Sequence, residues 1–417
     1  MKKTSAKARS KSKPISRQLR LVAPRKQVEG RSGESRSFVV AGLFAGIGGL
    51  ELGLHRAGHR TSLLCELDPG ARAVLDDRFP SIPKHDDVRT LESLPKETSL
   101  LAAGFPCQDL SQAGKTRGIE GARSGLVGEV FRLLQGRRLP WVLLENVPFM
   151  LQLSRGRALE VIVSALEELG YRWAYRVVDT RAFGLPQRRE RVFLLASLDS
   201  DPRDVLFVDE AERKEDRRSA SEVACGFYWT EGVRGLGWAV DGVPTLKGGS
   251  TIGIPSPPAI LFPDGRVMKP DLRDAERMQG FETDWTKAAE RVARRGHRWK
   301  LVGNAVTVDV AEWLGSRLAR PGKFIPIDAG RVIPDRSWPR AAWNVGNGRY
   351  TTELSTWPVS RQGRPLEKFL SFPPEMLSVK ATAGFLGRAE SGSLRFPPGF
   401  LSALGNHLKR MQSPVAA

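Results

Sequence analysis

The chain has 417 residues, 41% of them hydrophobic, which is enough for two or three domains with buried cores. It holds no run of 18 or more apolar residues, which excludes a membrane-spanning helix, and its three cysteines, Cys65, Cys107 and Cys225, suit neither a disulfide framework nor a metal site, so a reducing cytoplasm is expected. The formal charge of +19 sits at the ends: residues 1–37 carry twelve Lys/Arg against two Glu, residues 320–417 carry fourteen Lys/Arg against six Asp/Glu, and the middle is nearly neutral.

Residues 1–36 are rich in Lys, Arg and Ser and read as a basic disordered tail without the apolar stretch of a signal peptide. Such a tail suits a polyanion, because neutralising phosphates releases counterions, and it suits mere solubility equally. Order is expected from Ser37-Phe38-Val39-Val40, a run fit for a buried strand, which leads into a glycine-rich turn at 42–49 and a helical pattern from Leu50 to His55. A second strand, Thr61 to Glu66, ends in an acid, and a helix follows at 69–79. Strands recur at 98–103, 141–145, 173–179 and 191–196, with helical stretches at 125–135 and 155–169. This alternation predicts an α/β fold with a parallel, doubly wound sheet.

From Asp199 to Pro270 the chain turns to Gly, Pro and charge, which predicts a smaller, loop-rich domain. Helical character returns at 272–279 and 304–318. Beyond Pro321 an extension repeats a short phrase, Phe372-Pro-Pro-Glu-Met-Leu-Ser and Phe396-Pro-Pro-Gly-Phe-Leu-Ser, each copy a possible helix start. The expected division is therefore 1–36, 37–196, 197–272, 273–320 and 321–417.

A glycine turn after a first strand, with Glu66 ending the second, fits a dinucleotide or any other nucleoside-bearing cofactor, or simply a tight turn. More specific is Gly104-Phe105-Pro106-Cys107-Gln108 behind the apolar run 100–103. A lone cysteine is usually a small buried residue. Here, however, Glu145-Asn146-Val147 ends the next apolar strand and Gln187-Arg188-Arg189-Glu190-Arg191 opens another, so three polar clusters are expected on one edge of the sheet.

This ordered set resembles the DNA cytosine-5 methyltransferase family of restriction–modification type, bacterial or phage. The resemblance spans about 38–320 and includes Leu43-Phe44-Ala45-Gly46-Ile47-Gly48-Gly49, Arg123-Ser124-Gly125-Leu126, Arg277-Met278-Gln279-Gly280-Phe281 and Gly303-Asn304-Ala305-Val306. It implies a Rossmann-like methyltransferase domain that uses S-adenosyl-L-methionine and no metal. Cys107 would attack carbon 6 of a flipped cytosine to make carbon 5 nucleophilic. Glu145 would relieve charge at ring nitrogen 3. Pro106 and Asn146 would set the loop, and Arg189 and Arg191 would favour the thiolate.

By the same resemblance the cofactor contacts would come from Phe44, Gly46, Gly48, Glu66, Leu67, Asp87, Val88, Gly104, Pro106, Leu126, Asn304 and Val306. Gly42 stands where many members have an acid or serine, which puts a contact to the methionine end in doubt. Residues 197–272 would select the target in duplex DNA, with Thr245-Leu246 as the family's Thr-Leu pair. Gln108, Ser111, Arg234, Thr245, Lys247 and Arg266 are the candidate DNA contacts, a solvated loop surface being the competing reading for Arg234, Lys247 and Arg266. The basic run from Arg291 to Lys300 reads either as a phosphate-contacting patch or as a charged helix face.

The enzyme is expected to act as a monomer, marking self DNA that a separate nuclease or defence system then spares. Relatives acting on tRNA are the nearest alternative. A nicotinamide oxidoreductase would leave the later motifs unexplained, and a catalytically dead DNA-binding protein would not be expected to keep Cys107 and Glu145.

Overall fold

Five strands of the N-terminal half are buried on both faces because their residues alternate between two apolar layers. The computed structural model describes residues 35–106, 125–212, 216, 218–231, 233, 235–248, 257–326, 329–331 and 337–412. In chain order the first elements are β1 (Val39–Leu43), α1 (Gly49–Arg56), β2 (Arg60–Cys65), α2 (Pro69–Arg78), β3 (Lys84–His85), β4 (Leu100–Ala103), α3 (Val127–Gly136), β5 (Trp141–Asn146), α4 (Arg157–Glu168), β6 (Arg172–Asp179), β7 (Gln187–Arg188) and β8 (Glu190–Ser197). Leu101, Ala103, Val142, Leu144, Val192 and Leu194 face one layer with α3 and α4. Leu100, Ala102, Trp141, Leu143, Phe193 and Leu195 face the other, with residues of α1. That two-sided burial is why these strands read as unbroken apolar runs.

The remaining elements are α5 (Arg203–Leu206), β9 (Cys225–Phe227), β10 (Trp238–Val240), β11 (Val243–Pro244), β12 (Ala259–Leu261), β13 (Val267–Lys269), α6 (Leu272–Met278), α7 (His297–Asn304), α8 (Val308–Ala319), β14 (Gly330–Arg331), β15 (Ala341–Asn344), β16 (Tyr350–Thr351), α9 (Leu366–Phe369), β17 (Glu375–Met376), α10 (Val379–Ser391) and α11 (Phe400–Gln412). The main sheet runs β14-β16-β15-β6-β8-β5-β4-β1-β2-β3. Strands β3, β2, β1, β4 and β5 are parallel. The expected parallel sheet is present over these five strands, and its parallel order ends at β8, which lies antiparallel between β5 and β6. The ten residues separating β6 from β8 are too few for a crossover, which needs a dozen or more, so the chain can only fold back. The sheet is mixed around a parallel core.

Residues 321–417 belong to both sheets. Strands β14 to β16 extend the main sheet beside β6, and β17 completes a second sheet, β10-β9-β12-β13-β17. Phe385, Phe400 and Leu404 pack from α10 and α11 against Phe227, Leu261 and Val267 of that sheet. The first Phe-Pro-Pro copy does not start a helix directly. It pairs as β17 with β13, and Ser378 then caps α10 by accepting from Ala381 N at 3.3 Å. Helix α6 packs through Leu272, Ala275 and Met278 with Ile260 and Met268 of the second sheet, whereas α8 packs through Val310 and Leu314 in the layer of the main sheet that holds α1. Helix α8 lies directly on α1, where a side chain on Gly53 would collide with Ala311.

Candidate active site

The direction of β8 places the polar ends of β5 and β8 on one edge, beside the chain that leaves β4 at Gly104-Phe105. Because β8 is antiparallel to β5, its first residues lie beside the last residues of β5, with Val192 opposite Asn146 and Phe193 opposite Glu145. Had β8 been parallel, 187–191 would have opened at the far edge. Glu145 is buried, and Arg191 Nε lies 3.1 Å from its Oε1. Burial pushes the Glu145 carboxyl above the ordinary range, and the charges of Arg191 and Arg189 pull back against it. The group therefore keeps its proton to higher pH than a free glutamate. A Cβ at Gly104 would stand 3.2 Å from Glu145 Oε2, so glycine there leaves the carboxyl room.

Asn146 joins the two strand ends. Its Nδ2 donates to the carbonyl of Phe105 at 3.0 Å, and its Oδ1 accepts from Val147 N at 2.8 Å. Phe105 is buried and Pro106 exposed. The bond thus anchors the backbone two residues before Cys107. Cys107, Gln108 and Ser111 lie outside the described residues, as does Arg234. Of the other cysteines, burial pushes the Cys65 thiol up to about 12 and the Cys225 thiol up to about 11. Neither is suited to act as a thiolate.

Arg189 is fully buried and donates to three carbonyls: Leu246 at 3.2 Å, Gly303 at 3.1 Å and Ala305 at 2.6 Å. Gln187 accepts from Leu246 N at 3.0 Å and donates to Met278 O at 3.0 Å and Gln279 Oε1 at 3.2 Å. Gln279 Nε2 donates to Val302 O at 2.8 Å, and its Oε1 accepts from Thr307 at 2.9 Å. This buried network, with Gln279 and Thr307 as members that sequence reasoning did not assign, ties β7 and β8 to the Thr245-Leu246 segment and to the turn between α7 and α8. Gln187 and Gln279 stand inside motifs that the sequence singles out, but the partners of an amide cannot be read from its position in a motif. Gly303 admits the backbone of Lys247 and Gly248, with which any side chain would collide.

Replacing Arg189 with Ala is expected to destabilise the fold by about 3–5 kcal/mol, since three carbonyls lose a buried charged partner. Lys should not restore it, because an ammonium cannot span the three acceptors as a guanidinium does. Urea denaturation checks this, and a change below about 1 kcal/mol would refute the clamp.

Of the expected cofactor residues, Phe44, Gly46, Gly48, Glu66 and Leu67 lie at the ends of β1 and β2. Phe44 has φ +54°, an unusual left-handed conformation for a residue with a side chain, and Gly46 and Gly48 follow at +57° and +83°. Glu66 accepts from Gly46 N at 2.7 Å and from Asp68 N at 2.8 Å. Leu67 is 57% exposed beside it, an apolar surface ready to cover a flat ring. Asp87 is paired with its neighbour Arg89, which with its own turn holds the carboxyl down at about 2 and so ionised. Val88 is buried, Leu126 half-buried and Asn304 exposed. Val306 sits where a side chain on Gly49 would strike its carbonyl. Helix α7 is fastened to this corner: His297 Nε2 lies 2.9 Å from Asp68 Oδ1 and Lys300 Nζ 3.2 Å from Asp68 Oδ2. An acid at the end of β2, a close-approach turn and an exposed apolar side chain together fit a ribose, a polar tail and an adenine.

Among the expected DNA contacts, Thr245 donates to Arg188 O at 2.9 Å, Lys247 pairs with Glu231 and lies 3.7 Å from the Tyr228 ring centre, and Arg266 pairs with Asp264. The run from Arg291 to Lys300 reads mainly as paired structure. Arg298 is buried against Glu276, Glu290 and Asp284, and Arg291 pairs with Asp77. Among the described residues no helix is long and apolar enough to cross a membrane.

The sequence model of the C-5 cytosine-specific DNA methylase family matches residues 38–225. The Type II methyltransferase M2.BsuMI of Bacillus subtilis (strain 168) is 48% identical over 362 residues, 84% of this chain and 92% of that protein. M.BanI of Aneurinibacillus aneurinilyticus is 40% identical over 39% of each chain, and M.MspI of Moraxella sp is 33% identical over 42% of each.

Proposed function

The chain belongs to the C-5 cytosine-specific DNA methylase family, and from that premise we infer a mechanism in which Cys107 is the nucleophile and Glu145 the proton donor. The enzyme is a DNA cytosine-5 methyltransferase of restriction–modification type, and DNA is its substrate. The observation that carries the reading is the raised carboxyl of Glu145 held at the end of β5, with Asn146 fastening the backbone that leads to Cys107.

S-adenosylmethionine, when bound, supplies the methyl group. Phe44, Gly46, Gly48, Glu66, Leu67, Asp87, Val88, Gly104, Pro106, Leu126, Asn304 and Val306 would hold it, Glu66 by the ribose hydroxyls and Asp87 by the adenine amino group. The target cytosine is flipped from the duplex. The Cys107 sulfur adds to carbon 6, and Glu145 gives its proton to nitrogen 3, so the electron pair builds on carbon 5 and not on the ring carbonyl. After carbon 5 is methylated its proton passes to water, Glu145 recovers the proton of nitrogen 3, and the carbon–sulfur bond breaks. Arg191 orients Glu145, while Arg189 acts as a positioning residue through Leu246, Gly303 and Ala305.

Residues 197–272 select the sequence, Gln108, Ser111, Arg234, Thr245, Lys247 and Arg266 contact DNA, and the basic 1–36 adds phosphate contacts. The protein works as a cytoplasmic monomer beside a separate cognate nuclease. Bisulfite sequencing of DNA from cells expressing it should show one short sequence with protected cytosines. Uniformly converted DNA, with the protein present and folded, would overturn the reading.

A further inference from the structure

One buried acid is left unexplained by this mechanism. Glu51, in the first turn of α1, is 1% exposed, and neither carboxylate oxygen has a hydrogen-bond partner from another residue among the described residues. An ionised carboxylate buried without a partner costs several kcal/mol, so such a group is either neutralised or kept for a cation. Burial raises its pKa to about 7; its own backbone N–H pulls back against this, and the nearby charge of Glu66 adds to the rise.

Its position is specific. A Cβ on Gly42, the penultimate residue of β1, would collide with the Glu51 carboxyl. Glu51 therefore fills the space that an acidic or hydroxyl side chain at position 42 would take. Position 42 stands two residues before Phe44, which opens the turn of Gly46 and Gly48, and the carboxyl lies within electrostatic reach of Glu66. The missing side chain on the strand is matched by a carboxyl arriving from the helix.

We propose that Glu51 is the ligand for the α-ammonium of the cofactor's amino-acid end, supplying from α1 the negative group that Gly42 does not provide. The assignment rests on the S-adenosylmethionine reading above. Binding brings a cation to the unpaired oxygens, and the first turn of the helix favours the resulting negative charge. The ribose and adenine contacts of Glu66, Leu67 and Asp87 do not involve it.

Calorimetric titration tests the assignment with two ligands. S-adenosylhomocysteine carries the amino-acid end, and 5′-methylthioadenosine lacks it. Glu51→Gln, close in shape to the protonated acid, should weaken the first by about tenfold or more and the second by less than about twofold. An equal loss for both, or none for either, would overturn the proposal. If the variant does not fold, the wild-type chain decides: S-adenosylhomocysteine with its amino group replaced by hydrogen should bind about tenfold more weakly than the parent, and equal binding would overturn it. Failure of both nucleosides to bind the wild type would instead sink the cofactor reading.

Discussion

A Cys107→Ser variant is expected to show no detectable methyl transfer, a loss of about 10⁴-fold or more, with S-adenosylhomocysteine binding retained. A serine hydroxyl ionises far less readily than a thiol and is a much poorer nucleophile toward carbon 6. The experiment is clean because the other cysteines cannot substitute: both are buried, with thiols pushed up to about 12 and about 11. A duplex with 5-fluorocytosine at the target should trap wild-type enzyme as a covalent adduct in the presence of S-adenosylmethionine, since fluorine replaces the carbon 5 proton and cannot leave as a cation, which blocks the final elimination. Peptide mapping should find the adduct at Cys107. Retained turnover in the serine variant, or an adduct elsewhere, would refute the mechanism.

Glu145→Gln should lower kcat by about 10²–10⁴-fold, the range typical for loss of a positioned general acid. The carboxamide keeps the shape and the contact with Arg191 but has no proton to transfer. The pH profile separates this role from a structural one. Burial raises the Glu145 pKa, so the active protonated form persists above the ordinary glutamate range and is lost as pH rises through that raised value. Thiolate formation at Cys107 works in the opposite sense, giving a bell. Arg191 lowers the Glu145 pKa from 3.1 Å away, so Arg191→Ala should move the descending limb to higher pH. Unmoved pH limbs in both variants would leave Glu145 without its acid role.

Much of the catalytic layer was legible before folding. The apolar runs at 100–103 and 141–144 and the turn at 42–49 sit where they were expected, because burial on two faces and left-handed backbone leave local marks in the residues. What a buried polar group touches leaves no such mark. Arg189 looked like a partner for the thiolate, yet its guanidinium meets carbonyls 57, 114 and 116 residues away. The run from Arg291 to Lys300 read equally as a phosphate patch or a charged helix face, and the sequence could not show that Arg298 is buried among the carboxylates of Glu276, Asp284 and Glu290. Such partners depend on where distant segments meet.

By itself, then, the sequence determined the alternating core and the order of the family's motifs, and it singled out Cys107 and Glu145 as the candidates for the chemistry, since side-chain type and periodicity are local properties. Only the tertiary structure decided three further matters. It turned β8 antiparallel, which brings Arg191 to Glu145. It gave residues 321–417 a place in both sheets. It also set Glu51 under Gly42, where two positions nine residues apart occupy one space. Strand direction, strand neighbours and shared volume arise from connection lengths and long-range packing, which no local pattern encodes.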